Sequence, residues 1–203
     1  FLLPEKWKDA LHARNQRIEL HIDSLETFAA IYVNGEYAGE SANQFVPLNL
    51  DITSHVRPRE NLVVVHFESA ARKTSLLEND GGKLAAAYDT GRVYARRAQY
   101  LTGWSVAPRL SGCGIVGNVN VRRVDDVALR SLNTPVKHLS SSDARVSIEA
   151  ELETLDSPEV EIETIVERLT PIGSSTNYKS RVEAEKTRKV PLKPGRLVYT
   201  ESI

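Results

Sequence analysis

The sequence predicts an all-β protein, and three observations support that class. Apolar and polar residues alternate with a period of two along most of the chain from residue 17 onward, which is the pattern of half-buried strands. Helical composition is confined to KWKDALHARN (6–15), a segment equally compatible with a loop. After Asp125 the alternating segments become acidic on one face, which predicts a second, smaller antiparallel sandwich from about residue 126.

The strand pattern recurs along both halves of the chain. The segments that carry it are, in order, RIELHID (17–23), FAAIYV (28–33), EYAGE (36–40), QFVPLNLDITSHV (44–56), NLVVVHF (61–67), RVYARRAQY (92–100), GNVNVRRV (117–124), ARVSIEAELE (144–153), PEVEIETIVERL (158–169), RVEAEK (181–186) and RLVYTES (196–202). Asn34 and Gly35 predict a type I′ hairpin between the second and third segments, and Pro47 predicts an edge or bent segment. Residues 69–91 have no sustained period and predict a long surface loop, with room for a short helical turn. RVDDVA (123–128) is predicted to link the two sandwiches.

The composition limits the classes of partner. The net charge of −1 gives no general field that would attract nucleic acid or anionic lipid. No apolar run approaches the ~20 residues that cross a bilayer, and the first residues lack the basic lead and apolar stretch of a signal peptide. Cys113, the single cysteine, excludes an internal disulfide and is expected to be a small buried residue. We therefore expect a soluble protein with no membrane partner, with the cytoplasm slightly favoured by the free thiol.

The glycines of SGCGIVG (111–117) have the spacing of a dinucleotide-binding fingerprint. A working fingerprint follows a buried strand and opens a helix, whose N-terminus receives the pyrophosphate. Here Pro108 precedes the glycines, and the run that follows them alternates as a strand. The sequence therefore predicts tight turns between strands rather than a nucleotide site, and no cofactor is expected.

Titratable residues show no catalytic or metal-binding pattern. The five histidines lack H-x-H and H-E-x-x-H spacings and have no cysteine partners, which argues against a metal site. Ser105 does not lie in a G-x-S-x-G elbow. Six glutamates between residues 149 and 163 recur with a period of two, so we expect a solvated strand face rather than the paired carboxylates of a glycosidase. No catalytic residue and no metal ligand is predicted in this chain.

The stretch RVYARRAQYLTGWSVAPRL (92–110) interleaves aromatic residues with cations. This pattern fits a nucleic-acid site, where arginines contact phosphates and rings stack on bases. It also fits a sugar site, where a ring covers the apolar face of a pyranose and polar side chains bond its hydroxyls. The net charge favours sugar and argues against nucleic acid. A structural alternative is that Tyr94 and Tyr100 pack inside the sandwich while the arginines pair with carboxylates.

Three segments together resemble a known family. They are TFAAIYVNGEYAGES (27–41), QFVPLNLDITSHVRPRENLVVVHFES (44–69) and YARRAQYLTGWSVAPRL (94–110). Their order and spacing are similar to the N-terminal β-sandwich of glycoside hydrolase family 2, and most similar to its β-mannosidase branch. The resemblance covers about residues 17–125 strongly, whereas the remainder is similar only in layout to the sandwich that follows in that family.

This resemblance implies a jelly-roll, galactose-binding-like β-sandwich over residues 1–125, followed by a smaller immunoglobulin-like β-sandwich over residues 126–203. Members of the family are retaining exo-glycosidases whose catalytic glutamates lie in a TIM barrel, and the chain contains no such barrel. It therefore resembles a non-catalytic portion of an enzyme that hydrolyses O-glycosyl bonds, with the start of the first domain and the last strands of the second expected outside the chain. The implied partners are carbohydrate, in the form of a β-linked glycoside such as a mannoside, and the TIM-barrel catalytic domain of the same protein.

The resemblance also implies a set of substrate-binding residues, Arg96, Gln99, Trp104 and Ser105. Ser105 stands where the β-mannosidase branch has an aspartate that reaches the terminal sugar, and a serine carries no charge and is shorter. Val106 stands in place of a second tryptophan. These departures leave the fold expectation intact but keep three alternatives open. In the first alternative, the chain is part of another family 2 glycosidase (β-galactosidase, β-glucuronidase or exo-β-glucosaminidase). In the second it is a stand-alone carbohydrate-binding module, and in the third it is a structural or adhesive β-sandwich that binds no sugar.

Overall fold

The structure, a computed structural model, describes residues 1–103, 111–141, 143–156, 158–172 and 178–202. Strands make up most of these residues, so the predicted all-β class is confirmed. The chain divides into two compact units, Phe1–Val124 and Asp125–Ile203. Within the described residues, no helix is both long enough and apolar enough to cross a membrane.

The first unit contains two three-stranded sheets. Its strands are β1 (Gln16–Glu26), β2 (Ala29–Val33), β3 (Glu36–Ser41), β4 (Leu48–Asp51), β5 (Val63–Phe67) and β6 (Gly114–Asp125). One sheet has the order β4-β1-β6 and the other the order β3-β2-β5. β4 is therefore an edge strand, as the proline before it predicted, because proline cannot donate to a neighbouring strand.

The two sheets share one hydrophobic core. Ile18, Leu20 and Ile22 of β1 and Ile31 and Val33 of β2 are fully buried and belong to the same cluster. Burying a side chain of this size contributes about 1.5–3 kcal/mol. β1 and β2 are the central strands of their sheets, so the most apolar strands lie where they lose the most contact with water.

The polar face of β1 was predicted to be solvated, and at its first residues this is wrong. Arg17 and Glu19 are both buried, and Arg17 Nε donates to Glu19 Oε1 at 2.6 Å. The pairing makes burial of the two charges tolerable. A period of two shows which residues share a face, but it does not show whether the rest of the chain covers that face.

The predicted hairpin is confirmed. β2 and β3 pair antiparallel, and the two residues between them, Asn34 and Gly35, have φ angles of 53° and 91°. Both positive values are those of a type I′ turn. The Asn34 side chain also donates to the carbonyl of His55 at 2.7 Å and accepts from the amide of Leu62 at 3.0 Å. The turn is therefore anchored to the segment that precedes β5.

The loop predicted over residues 69–91 is wrong, because it contains a helix, α1 (Ala70–Gly81). Ser69 caps the helix by accepting a hydrogen bond from the amide of Arg72 at 3.4 Å. Ala70 is buried against Phe28, and α1 is otherwise largely exposed. Its apolar face is short, so no sustained hydrophobic period marks it in the sequence.

The strand predicted over RVYARRAQY (92–100) is also wrong. The chain forms two short 3₁₀ helices there, Thr90–Tyr94 and Gln99–Thr102. Asp89 caps the first by accepting from the amide of Gly91 at 3.1 Å. A third 3₁₀ helix, Glu5–Leu11, overlaps the first half of the one segment predicted to have helical composition.

The second half of the glycine-rich stretch belongs to a strand rather than to a turn, and residues 111–113 precede that strand. Gly114 and Gly117 lie inside β6, and Gly117 has a φ of 87°. The turn interpretation is therefore corrected, while the absence of a following helix excludes a dinucleotide fingerprint at these glycines. Cys113 is exposed rather than buried.

The second unit is built from β7 (Val127–Asn133), β8 (Val136–Leu139), β9 (Ala144–Thr154), β10 (Glu159–Pro171), β11 (Tyr178–Pro191) and β12 (Gly195–Ser202). One sheet has the order β12-β9-β7, with β8 also paired to β9, and β10 and β11 form a separate two-stranded ribbon. The linker predicted over RVDDVA (123–128) is wrong, because five of these six residues lie in β6 or β7 and only Asp126 separates the two strands.

The acidic faces of β9 and β10 differ. Glu159, Glu161 and Glu163 on β10 are exposed, as predicted. The glutamates of β9 are half-buried instead, and Arg130 Nε donates to Glu153 Oε2 at 2.7 Å. The solvated-face interpretation therefore holds for β10 and is wrong for β9, where neighbouring strands supply cations.

Candidate functional site

Two of the four predicted site residues line one cavity of the first unit. The cavity has a volume of about 540 Å³ and contains Arg96 and Gln99 in its wall. The other lining residues are Phe45, Ala85, Ala86, Arg92, Val93, Ala95 and Arg97. Trp104 and Ser105 lie outside the described residues. We call the space lined by these nine residues the arginine cavity.

Hydrogen bonds hold residues 43–45 against residues 96–98. Asn43 and Arg96 form a parallel bridge, and the amide of Gln44 donates to the carbonyl of Arg96 at 2.8 Å. In return, Gln44 Oε1 accepts from the amide of Ala98 at 2.8 Å. This pairing places Phe45 in the same wall as Arg96, although the two are far apart in sequence.

Arg96 and Arg97 point to different environments. The Arg97 side chain is 1% exposed, is ion-paired with Glu26, and donates to Ser111 Oγ at 3.1 Å and to the carbonyl of Gly112 at 3.4 Å. Arg96 is exposed, and within the described residues its guanidinium has no ion-pair or hydrogen-bond partner. Arg97 therefore anchors the segment, whereas Arg96 is available to a ligand.

Gln99 opens the second short helix of this segment. Its side-chain amide donates to the carbonyl of Arg97 at 3.3 Å, and its own carbonyl accepts from Thr102 Oγ1 at 2.7 Å. Tyr94 is half-buried and donates to the carbonyl of Gly82 at 2.5 Å. Tyr100 is 75% exposed, so the alternative in which both tyrosines pack inside the sandwich is wrong for Tyr100.

The chemistry of the arginine cavity is that of a binding site. Phe45 is 59% exposed and offers an apolar ring face, while Arg96 and Gln99 offer hydrogen-bond donors and an amide oxygen. This combination of a few polar groups on an apolar wall is typical of small-molecule sites. The described lining residues include no Asp, Glu, His or Cys, so they supply no group that transfers a proton near neutral pH.

A second polar cluster lies on the surface of the β4-β1-β6 sheet. Asp23 Oδ2 accepts from the amide of Asn118 at 2.8 Å, and Asp23 Oδ1 lies 2.9 Å from His21 Nε2. His21 Nδ1 in turn lies 2.7 Å from Asn49 Oδ1. The backbone hydrogen bond from Asn118, and next the one with His21, hold the pKa of the Asp23 carboxyl below its ordinary value. The cluster ties the three strands of this sheet together. No group of three or more His, Cys, Asp and Glu within the described residues has the geometry to hold a metal ion.

Comparison with known families identifies the first unit. The sequence profile of the family described as glycosyl hydrolase 2 galactose-binding domain-like matches residues 4–117, more than half of the chain. The chain belongs to this family. The match confirms the resemblance inferred from the three sequence segments, and all nine residues of the arginine cavity lie within the region of this galactose-binding-like domain.

Curated relatives of this galactose-binding-like chain include β-mannosidases from fungi. A beta-mannosidase B of Aspergillus oryzae is 32% identical over 150 residues, which is 71% of the chain, and one of Thermothelomyces thermophilus is 35% identical over 101 residues, which is 48% of the chain. The matched regions are 18% and 12% of those two proteins. The chain therefore spans less than a fifth of the length of these relatives.

Solved structures agree with the fold of the galactose-binding-like chain. The beta-D-mannosidase of Dictyoglomus thermophilum superimposes with a TM-score of 0.78 at 25% identity, over 100% of this chain and 23% of that one. A beta-glucuronidase of Bacteroides uniformis superimposes with a TM-score of 0.62 at 16% identity, over 100% of this chain and 20% of that one. The second similarity shows the fold alone.

Sequence reasoning missed Phe45 and Arg92 as cavity residues and did not separate Arg96 from Arg97. Phe45 carries no local signal, because only the pairing of residues 43–45 with residues 96–98 brings it to the site. Arg97 is buried and Arg96 is exposed because the two are neighbours in an extended stretch, where successive side chains point in opposite directions. That signal was present in ARRAQ (95–99) and would have assigned one arginine to the interior.

Proposed function

We propose that this chain is a non-catalytic portion of a β-mannosidase-like retaining exo-glycosidase. In this proposal the first unit contacts the terminal sugar of a β-linked glycoside and packs on the TIM-barrel catalytic domain of the same protein, which hydrolyses the O-glycosyl bond. Family membership supports the proposal, as do the names of the fungal relatives. The mannoside is the preferred substrate because every one of those relatives is named a β-mannosidase.

One observation carries the role of the first unit. Arg96 and Gln99, which lie in the family motif, line the same cavity as the exposed ring of Phe45. A guanidinium, an amide and an apolar ring are the groups that a pyranose needs, since it has hydroxyls on its edge and C–H bonds on its face. We propose that Trp104 and Ser105, which follow in the motif, complete this sugar contact.

Hydrolysis assays test the assignment to a larger enzyme. The complete product of the gene that encodes this chain is assayed on aryl β-mannoside, β-galactoside, β-glucuronide and β-glucosaminide, beside the 203-residue chain alone. We expect turnover of the mannoside by the complete product and none by the chain. Turnover by the chain itself would refute the non-catalytic role, and a preference for another sugar would place the protein with another family 2 glycosidase.

Substitutions in the cavity test the contact with substrate. In the complete product, Arg96→Ala and Gln99→Ala are expected to raise KM, because each removes a hydrogen bond to the bound sugar worth about 1 kcal/mol or more. Arg59→Ala is the matched control, since Arg59 is an exposed arginine that does not line the cavity. Equal KM values for all three variants would show that Arg96 and Gln99 do not contact the substrate.

A specific observation also favours sugar binding by this chain without a barrel. All nine described residues of the arginine cavity come from Phe1–Val124, so these groups are brought together by one unit. As a carbohydrate-binding module, the chain alone would bind manno-oligosaccharides measurably in calorimetric titration. Binding only in the complete product would instead indicate a subsite shared with the catalytic domain.

We further propose that the second unit is the immunoglobulin-like sandwich of the family layout. Two sheets of antiparallel strands support this, as does the side chain of Glu201 on β12, which accepts from Lys186 and Arg188 of β11 at 2.8 Å and 3.3 Å. These contacts bring the ribbon against the β12-β9-β7 sheet. A crystal structure of the chain tests the proposal, which requires the ribbon and that sheet to enclose one apolar core.

A further inference from the structure

A groove lies on the outer face of the β3-β2-β5 sheet. Burial alternates along β2, so Ile31 belongs to the core and Ala30 lies on the opposite, outer face. In the strand register Ala30 is flanked by Glu40 of β3 on one side and by His66 of β5 on the other. Neighbouring strands lie about 4.8 Å apart, so the backbones of Glu40 and His66 are about 10 Å apart, with only the methyl group of Ala30 between them.

Helix α1 forms one wall of this groove. Lys73 and Leu77, which are one helical turn apart, line the same cavity as Ala30. Leu77 packs against the cluster of the buried Phe28, and Lys73 Nζ lies 3.1 Å from Oε2 of Glu68, the residue that follows β5. The cavity has a volume of about 390 Å³, within the range of about 300–1,000 Å³ that is usual for small-molecule sites.

We call the space between Ala30, Glu40, His66, Lys73 and Leu77 the α1 groove. It shares none of its described lining residues with the arginine cavity. The α1 groove is therefore a separate cavity of the first unit, and the terminal-sugar contact proposed above does not use it.

The charges around the α1 groove are of both signs. Glu68 and Lys73 form an ion pair in its wall, and the carboxylate of Glu40 stands across Ala30 from the imidazole of His66. An anionic ligand would meet two carboxylates, and a cationic ligand would meet the ammonium group of Lys73. Juxtaposed like charges oppose binding, so the groove favours a ligand without net charge.

The polar groups of the α1 groove are suited to hydroxyls. The Glu40 carboxylate accepts hydrogen bonds, the Ser41 hydroxyl donates and accepts, and each ring nitrogen of a neutral His66 does one or the other. The surface between these groups is apolar, since Ala30 forms the floor and Leu77 stands at the side. A pyranose carries hydroxyls around its edge and C–H bonds on its faces, so a ring that lay on Ala30 would meet a polar group at either edge.

We infer that the α1 groove is a second sugar site, which binds a neutral hexopyranose unit of a glycan. One face of the ring lies on Ala30, Glu40 accepts from hydroxyls at one edge, and His66 bonds hydroxyls at the other. The inference goes beyond the proposed function, because it requires neither the terminal-sugar contact in the arginine cavity nor a catalytic domain. Only the choice of a mannose-containing probe is taken from that proposal.

Titration of the 203-residue chain with β-linked mannotriose, followed by amide chemical shifts, tests the second site. The amides of Ala30 and His66 report on the α1 groove, whereas those of Arg96 and Gln99 report separately on the arginine cavity. We expect saturable shifts at Ala30 and His66 with a dissociation constant on the order of 1 mM, as for a few net hydrogen bonds. Because the ligand carries no charge, this constant is expected to change by less than about twofold between low and high salt.

Two polar variants locate the contact. Glu40→Gln and His66→Ala are each expected to weaken binding at the groove about fivefold, since each removes or weakens one hydrogen bond to the sugar. Glu36→Gln and His12→Ala are the matched controls, because these exposed residues have the same chemistry and do not line the groove. Both controls are expected to bind as the unsubstituted chain does.

A third variant fills the floor of the groove and keeps all of its polar groups. Ala30→Leu places a larger side chain where the ring is proposed to lie, so it is expected to abolish the saturable shift at the His66 amide. Ala30 is on the outer face of β2, and an unchanged shift of the buried Ile31 amide would show that the core is intact. The two polar variants decide the question independently of this one.

Three results would overturn the inference. The first is the absence of a saturable shift at Ala30 and His66, and the second is unchanged affinity in both Glu40→Gln and His66→Ala. The third is tighter binding of sodium acetate or methylammonium chloride than of mannotriose at these two amides, which would mean that the groove takes a charged ligand. The proposed function fails separately, when the complete gene product hydrolyses none of the aryl glycosides, and an empty α1 groove leaves that function standing.

Discussion

Arg97 and Glu26 are joined in a buried ion pair that fixes the wall of the arginine cavity. Glu26 is the last residue of β1, and Arg97 lies 71 positions further along the chain, in the segment that carries Arg96 and Gln99. Their side chains are 1% and 12% exposed. The central strand of one sheet thereby holds a segment that has no strand of its own.

Replacing Arg97 is expected to destabilise the first unit far more than replacing Arg96. Arg97→Met leaves the Glu26 carboxylate nearly buried without its cation, which costs about 3–5 kcal/mol. Arg96→Met removes an exposed side chain without a partner in the described residues, and such surface changes stay within about 0.5 kcal/mol. Urea unfolding of both variants at pH 7 measures the difference.

The double variant Arg97→Met, Glu26→Leu serves as the control for this pair. Removing both charges replaces an ion pair by apolar contacts, so part of the lost stability is expected to return. Equal unfolding free energies for Arg96→Met and Arg97→Met would contradict the anchoring role.

Gly117 is expected to resist substitution because its backbone and its surroundings both require glycine. Its φ is 87°, and a Cβ added there would lie 2.7 Å from Asp23 Oδ2 and 2.9 Å from Asp23 Cβ. Gly35 has a similar φ of 91°, but an added Cβ would meet no heavy atom within 4 Å among the described residues. Gly35→Ala should cost about 1–2 kcal/mol for the left-handed backbone alone, and Gly117→Ala should cost more. Thermal unfolding of the two variants measures the difference. Equal losses of stability would mean that Asp23 moves aside at no cost and would contradict the prediction.

The Asp23 cluster predicts a loss of stability in acid. Hydrogen bonds from Asn118 and His21 lower the pKa of the Asp23 carboxyl in the folded protein below its unfolded value, which is about 3.9. The stabilisation is therefore fully present above the unfolded pKa and disappears as the pH falls through the folded pKa. Urea unfolding of the unsubstituted chain and of Asp23→Asn between neutral and strongly acid pH should show a stability difference that narrows on acidification. A constant difference at every pH would rule out the carboxylate as its source.

Local pattern was enough to predict the strands whose two faces differ in polarity. The sequences of β1, β2, β9 and β10 follow the alternation, and the Asn34-Gly35 turn follows from the φ angles those residues tolerate. The same pattern predicted a strand at RVYARRAQY, where the backbone forms only an isolated bridge between Arg96 and Asn43. Apart from this bridge, the side chains of Glu26 and Gln44 hold the segment. Alternation reports which side chains share a face, and it does not report which other parts of the chain cover that face.

The candidate site was predicted in part for the same reason. Arg96 and Gln99 stand within one short motif, so resemblance to the family was enough to select them. Phe45 and Arg92 enter the cavity through tertiary pairing and through a short helix that has no signature in composition. The charge of the cavity emerges only when the partner of each arginine is known, because Arg97 is neutralised by a residue at the end of a distant strand.

Gln44 is expected to act as a positioning residue for the sugar site. It does not line the cavity, yet its side chain accepts from the amide of Ala98 at 2.8 Å and its backbone donates to the carbonyl of Arg96 at 2.8 Å. Gln44→Met keeps the size of the side chain but removes the acceptor, so residues 96–98 lose one of the bonds that hold them beside Phe45. A hydrogen bond of this kind is worth about 1 kcal/mol, which corresponds to about a fivefold loss of sugar affinity if the segment must be ordered before binding.

Gln44→Glu separates positioning from simple loss of stability. It places a carboxylate oxygen where Gln44 has its amide oxygen, so it is expected to restore both the slow hydrogen exchange of the Ala98 amide and the sugar affinity. Hydrogen exchange read by NMR and titration with a manno-oligosaccharide measure the two quantities on the same samples. If Gln44→Met accelerated exchange at Ala98 while the affinity stayed unchanged, the order of residues 96–98 would have no part in sugar binding.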